Sequence, residues 1–216
     1  MRLITAKKYI FLIACAAILF SSCIGASIDI QMNRNGSGRI TLEYKVPKII
    51  EAIGRLDGNE SNPIIPVSRQ DFERTASRIS GLRLVSYSSR ERGGDIVTSA
   101  VLEYDNPQTL FAFLGSSSEG SSDGKIVIRF NGQNESRLAY NENMPDLPKS
   151  IFTDYLFSVS FNGHSPSVMT LIKEDGGAAS VPPHSQAVMS GNKVSFSIPI
   201  LELLDNREIS GLTITW

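Results

Sequence analysis

The most constraining feature of this sequence is a strict two-residue alternation of apolar and polar side chains that a single turn interrupts. Apolar residues occupy every second position over residues 28–32, and after Asn35-Gly36 they do so again over residues 40–46. This period places successive side chains on opposite faces of a strand, and Asn-Gly between two such runs is a strong hairpin signal. The pattern predicts two antiparallel strands, each half-buried.

The same period recurs later in the chain. Residues 82–88 and 95–104 flank Glu91-Arg92-Gly93-Gly94, and its two glycines favour a second hairpin. Further strands are predicted at 126–130, 157–161, 168–172, 194–198 and 212–216.

Helix signals lie between these strands. Ser68 is a preferred N-cap residue, and apolar residues follow it at helical spacing as far as Gly81. Asn106-Pro107 begins a shorter helix, and Pro47 suits the first position of another. Hairpins with helices between them predict an α+β fold, with a mainly antiparallel sheet built from hairpins and helices packed on one face.

The first 22 residues have the organisation of a secretory signal peptide. Arg2, Lys7 and Lys8 form a positive region, and residues 9–20 follow without a charge. Ser21-Ser22-Cys23 then resembles a bacterial lipobox, in which small residues precede a cysteine that is acylated and exposed by cleavage. The resemblance implies a lipoprotein of the bacterial cell envelope, attached to membrane lipid through acylated Cys23.

Two other interpretations of this segment stay open. Cleavage after Ala26 would discard Cys23 and release a soluble exported protein, whereas an uncleaved stretch over residues 9–28 would anchor the chain. Cysteine usage favours the lipoprotein, because Cys15 leaves with the signal peptide. A lone Cys23 is unusual in an exported protein unless acylation consumes it.

The charge of the mature chain assigns the anchoring to the acyl group. Three positive charges and no negative ones leave with the signal peptide, so the formal charge falls from −1 to −4. A mildly acidic domain is not drawn to anionic lipid by its net charge.

The chain of 216 residues has room for one ordinary domain after the signal peptide. We predict the signal peptide at 1–22, the acylated cysteine with a short tether at 23–26, and a single domain at 27–216. A Ser/Gly-rich loop at 116–124 interrupts that domain.

The sequence shows no motif for catalysis or metal binding. His164 and His184 lie in Ser/Pro/Gly-rich loops, without a second histidine at helical spacing or a nearby carboxylate, so we predict two exposed loop histidines. No Gly-x-Ser-x-Gly elbow is present, and 21 basic residues nearly balance 22 acidic ones. We therefore predict no enzyme activity, no metal, no cofactor and no nucleic-acid partner.

A candidate ligand site lies among the apolar residues of the predicted helices. Such residues normally form core, and an amphiphile site opens between helices and sheet where the packing is incomplete. The candidate residues are Ile49, Ile53, Phe72, Ile79, Leu110, Phe111 and Leu114.

The opening hairpin resembles that of LppM-type bacterial envelope lipoproteins. In that family an acylated cysteine is followed by a strand, an (Asp/Asn)-Gly-(Ser/Thr)-Gly turn and a second strand, and here the turn is Asn35-Gly36-Ser37-Gly38. A helical insert, the strand at Gly81-Leu82-Arg83-Leu84-Val85 and a last strand ending in Trp216 continue the likeness. The resemblance implies a non-catalytic module that binds an amphiphilic or lipid ligand. The alternative is a structural or protein-interaction domain, scaffold-like or adhesin-like, with an unknown protein partner.

We expect the mature protein to begin at Cys23 and to carry the added mass of acyl groups, because several acyl chains together bind a bilayer almost irreversibly. Cys23→Ser should lose this mass and leave the membrane fraction. Cys15→Ser is the matched control and should change neither. Intact-mass spectrometry of the membrane fraction tests this, and a mature chain beginning at Ser27 would contradict it.

Overall fold

The computed structural model describes residues 24–48, 68–114, 124–129, 155–165, 167–173, 176–206 and 208–216. Within these ranges the chain forms ten strands and three helices. The strands are β1 (Ile24–Met32), β2 (Gly38–Pro47), β3 (Leu82–Arg92), β4 (Asp95–Tyr104), β5 (Lys125–Arg129), β6 (Leu156–Asn162), β7 (Val168–Ile172), β8 (Gln186–Ser190), β9 (Lys193–Pro199) and β10 (Gly211–Thr215). The helices are α1 (Arg69–Arg78), α2 (Pro107–Phe113) and α3 (Ile200–Asp205).

Seven strands form one large mixed sheet in the order β3-β4-β2-β1-β6-β9-β8. Its neighbours pair antiparallel, except that β1 and β6 are parallel. A second sheet of three antiparallel strands has the order β5-β10-β7. The described chain is therefore mostly sheet with few helices, and the prediction of a mainly antiparallel sheet is confirmed.

Both predicted hairpins form. In the first, Met32 pairs with Gly38, and the turn between them holds Gly36 at a φ of 81°, a left-handed conformation that glycine adopts at little cost. The side chain of Asn35 accepts a hydrogen bond from the Ser37 amide at 3.2 Å. Local turn chemistry therefore sets the register, as it does in short hairpins generally.

The core follows from the two-residue period. Leu102, Ile40, Ile30, Phe161 and Val194 are direct neighbours across five adjacent strands, and all are at most 2% exposed. Side chains from the three-stranded sheet join the same core, and the Phe161 ring lies 5.1 Å from the ring of Trp216, the residue after β10. One face of the large sheet is thus buried.

The alternate positions of the same strands are polar. Thr41, Asp29, Ser160 and Ser195 form a direct row across β2, β1, β6 and β9, and all four are partly exposed. An antiparallel sheet that packs on one side only has this division between its faces.

Two helices begin where the sequence predicts. The hydroxyl of Ser68 caps α1 in a capping box with Asp71, and the side chain of Asn106 caps α2 by accepting from the Thr109 amide at 2.9 Å. Each cap satisfies an amide that the first helical turn leaves without a partner. Phe72 of α1 joins the core.

Three details differ from the sequence prediction. Pro47 is the last residue of β2, paired with Asp95, and helical structure begins one residue later, at Lys48. Strand β8 was not predicted, because all of its residues are exposed and no buried face marks it. β1 begins at Ile24, so residues 24–26 are strand rather than tether. Apart from Gly124, the predicted loop at 116–124 lies outside the described residues.

We expect Phe161→Ala to lower the free energy of unfolding by about 3–5 kcal/mol, the usual cost of removing a buried aromatic ring. Asn162→Ala is the matched control, because the next residue along β6 is exposed on the opposite face and should change stability by no more than about 0.5 kcal/mol. Urea denaturation measures both. Equal unfolding midpoints would contradict the assignment of the buried face.

Candidate binding cleft

The predicted apolar site residues that the structure describes belong to the core. Phe72 and Leu110 are fully buried, and Phe111 is 4% exposed. Ile79 and Leu114 are partly buried and pack against the same core. The side chains of Phe72, Leu110 and Phe111 therefore stabilise the fold and offer no surface to a ligand. Cys23, Ile49 and Ile53 lie outside the described residues.

A cleft of about 620 Å³, lined mostly by polar and charged residues, opens at one end of the large sheet instead. It lies where β1 and β4 end and where β2 and β3 begin. The sequence marks several of its residues only as turn residues, and no motif singles out the rest. The lining residues are Gln31, Asn33, Ser37, Gly38, Arg39, Gly81, Leu82, Arg83, Glu103, Tyr104 and Asp105.

Three charged side chains dominate this cleft. Arg39, Glu103 and Arg83 are direct neighbours across β2, β4 and β3. Arg39 Nη2 donates to Glu103 Oε1 at 2.8 Å, and Arg83 Nη2 donates to Glu103 Oε2. The hydrogen bond from Arg39, together with the positive charges of Arg83 and Arg39, holds the pKa of Glu103 below its ordinary value. One carboxylate thus stands between two guanidinium groups.

Both guanidinium groups keep access to solvent. The side chain of Arg39 is 50% exposed and that of Arg83 is 71% exposed. A guanidinium carries five N–H donors, so each can hold Glu103 and still bind a second acceptor.

The buried wall of the cleft depends on Tyr104. Its hydroxyl donates to the Gln31 carbonyl at 2.9 Å, and burial raises its pKa, so the group stays a neutral donor. Gly38 lies directly beneath, where a Cβ would collide with the Gln31 carbonyl and with the Tyr104 side chain. Glycine at this position therefore lets Tyr104 cross from β4 to β1.

Asp105 forms the other wall and is held in place by its neighbours. Its carboxylate accepts from Asn106 Nδ2 at 2.8 Å and from Thr109 Oγ1 at 3.1 Å, and its amide donates to the Gly81 carbonyl at 3.2 Å. A cleft with two arginines, two acids and amide or hydroxyl side chains is suited to polar contacts with a ligand. Glu103 stays ionised near neutral pH and acts as an acceptor rather than as a proton donor.

The histidine prediction needs one correction. His184 is exposed, as predicted, but its Nδ1 contacts the carboxylate of Glu202 on α3. Sequence reasoning missed this carboxylate because it lies 18 residues away. His164 is exposed in the connection after β6. In the part of the chain that the structure describes, no three His, Cys, Asp or Glu residues lie close enough together to hold a metal ion.

None of the helices described here has the length and apolar character needed to cross a bilayer. Comparisons with models of protein families, with curated proteins and with solved structures find no match to this chain.

We expect the ion pairs of Glu103 to make the free energy of unfolding depend on pH. Because its folded-state pKa is lowered, their contribution is present above the ordinary value of 4.5 and is lost as the pH falls below it. Glu103→Gln should therefore lose less stability on acidification than the natural protein does. Glu43→Gln is the control. Glu43 is exposed on the same face of β2 as Arg39, and it has no basic partner among the described residues. Urea midpoints above and below pH 4.5 measure the effect, and equal acid sensitivity of Glu103→Gln and the natural protein would contradict it.

Proposed function

We propose that this chain is a bacterial envelope lipoprotein, attached to membrane lipid through acylated Cys23, whose domain binds a partner without catalysing a reaction. The observation that carries the proposal is the start of β1. This central strand begins at Ile24, the residue after Cys23 in the sequence. Cleavage before Cys23 would leave the whole strand intact and put the acyl group on the residue directly before it.

The two alternative interpretations of the N-terminal segment fit this strand less well. Cleavage after Ala26 would remove the pairing of Ala26 with Tyr44 and Phe157. It would also remove Gly25, which is buried at a point where a Cβ would collide with Tyr155. An uncleaved helix over residues 9–28 would have to include residues 24–28, which are strand.

The position of the cleft favours the interaction alternative for the partner. From Ile24 to Met32, β1 has nine residues and a length of about 27 Å. The cleft lies beside the end of β1, at Gln31 and Asn33. A domain attached at the other end of β1 would hold this polar cleft away from the bilayer. We therefore propose that a water-exposed partner, such as another envelope protein, occupies it.

An amphiphilic ligand is the second candidate. The LppM-like hairpin implies it, and the apolar side chains of Ile79 and Leu114 are only partly covered beside the core. In this proposal the helices pack on one face of the sheet, and an acyl chain lies against Ile79 and Leu114. Lipid that co-purifies with the Cys23→Ser protein would support this candidate.

A photo-crosslinking side chain at Asn33, in the cleft, should give an adduct with an envelope protein in living cells. The same group at Gln186, on the distant strand β8, is the control and should give none. Arg39→Ala with Arg83→Ala should reduce the Asn33 adduct about tenfold or more, because hydrogen bonds to charged groups are lost.

The outcomes separate the two candidates. An adduct that forms at Asn33 and depends on the arginines supports the protein partner. Absence of that adduct together with co-extracted lipid supports the amphiphile. Absence of both would reject a binding function.

A further inference from the structure

The tip of the β3–β4 hairpin lies at the same end of the sheet as the start of β1. We define the hairpin tip as Arg90, Glu91, Arg92, Gly93 and Gly94. Strand pairing places Ala26, Tyr44, Thr98 and Ser89 in one row across four strands.

Three residues further along the strands lies a second row, formed by Pro47, Asp95 and Arg92. That distance is about 10 Å along the strands. Cys23 precedes Ala26 by the same three residues in the sequence. The hairpin tip therefore extends past Ala26 toward the end of β1 that Cys23 precedes in the sequence.

Two positive charges of the hairpin tip have no ion-pair partner among the described residues. Lys45 pairs with Asp95 at 2.9 Å, and Lys48 pairs with Glu91 at 2.6 Å, so these four charges cancel. Arg90 and Arg92 are exposed, and neither has a carboxylate partner among the described residues. The two acids of α3 are Glu202, which contacts His184, and Asp205, and this helix follows β9 in the other half of the sheet.

We infer that the hairpin tip is a second membrane contact, in which Arg90 and Arg92 bind anionic lipid headgroups; this inference rests on the proposed acylation of Cys23. Guanidinium groups bind phosphate oxygens through paired hydrogen bonds. Gly93 and Gly94 add no side chain, and the space around them is open, so the backbone of the turn can approach the headgroups. The net charge of −1 over the full sequence does not reveal this local pair of positive charges.

The acyl chains supply the attachment, and the arginines set its geometry. Each basic residue at an anionic surface strengthens binding about fivefold, so the pair favours the tip-down orientation by about 25-fold. This preference falls in high salt, because the screening length there is only a few ångströms. When the hairpin tip faces the membrane, β1 points away from the bilayer and the polar cleft lies at the far end.

The test uses the full acylated chain in vesicles made of phosphatidylcholine and phosphatidylglycerol in equal parts. A fluorophore on Ser88→Cys, beside the hairpin tip, reports its distance from the bilayer by energy transfer to acceptor-labelled headgroups. Acylation leaves Cys23 without a free thiol, so the label goes to the introduced cysteine alone. We expect strong transfer that decreases in high salt and in vesicles of phosphatidylcholine only.

The decisive comparison is between two double variants. Each removes two positive charges, one variant at the hairpin tip and the other at the opposite end of the sheet. Arg90→Ala with Arg92→Ala should reduce the transfer to the level seen with phosphatidylcholine alone. Arg34→Ala with Arg78→Ala removes the same charge from exposed residues at the opposite end and should leave the transfer high.

Two failures are distinguishable. An unacylated Cys23 in the intact mass would reject the proposed lipoprotein. An acylated protein whose transfer is the same in both double variants, or the same in neutral and anionic vesicles, would overturn the tip contact alone.

Discussion

The pairing of β1 with β6 is the constraint on which the large sheet depends. β1 has its hairpin partner β2 on one edge and β6 on the other, and this parallel pair joins the β3-β4-β2 half of the sheet to the β6-β9-β8 half. Ile30 lies between Ile40 and Phe161 and is fully buried. Without this pair, each half would expose an edge strand and an apolar face to water, which small sheets tolerate poorly.

The same strand relates the proposed attachment to the proposed binding site. Its first residue follows Cys23, and its last residues border the cleft. A strand paired on both edges cannot bend freely, so it acts as a rigid spacer between the two ends. In our proposal this geometry keeps the partner site at a set distance from the bilayer, which a flexible tether would not do.

Local arrangement of charge matters more here than net charge. Opposite charges nearly cancel over the chain, yet the cleft places one carboxylate between two exposed guanidinium groups and the hairpin tip leaves two arginines without partners among the described residues. Salt screens interactions between charges beyond about 8 Å under physiological conditions. A partner therefore interacts with these local groups rather than with the net charge of the chain.

Interactions between residues close in the chain were predictable from the sequence. The Asn35-Gly36 turn, the Ser68 and Asn106 caps and the alternation of the strands each depend on neighbours within a few positions, and all of them form. Alternation even identified the buried residues of β6 and β9. Strand β8 escaped prediction because its exposed residues carry no such pattern.

Only the tertiary structure decided which strands are neighbours. A two-residue period assigns a side chain to a face but says nothing about the strand beside it, so neither the β1–β6 pair nor the row of Arg39, Glu103 and Arg83 could be found in advance. Arg39 and Glu103 are 64 residues apart and meet because β2 and β4 pair in one register. The sequence by itself determined the hairpins, the caps and the buried face, because these follow from short-range sterics and hydrophobic burial. The cleft and the position of the hairpin tip depend on which distant strands pair. Strands with this alternation can pair in many orders, and only the assembly of the whole sheet selects one of them.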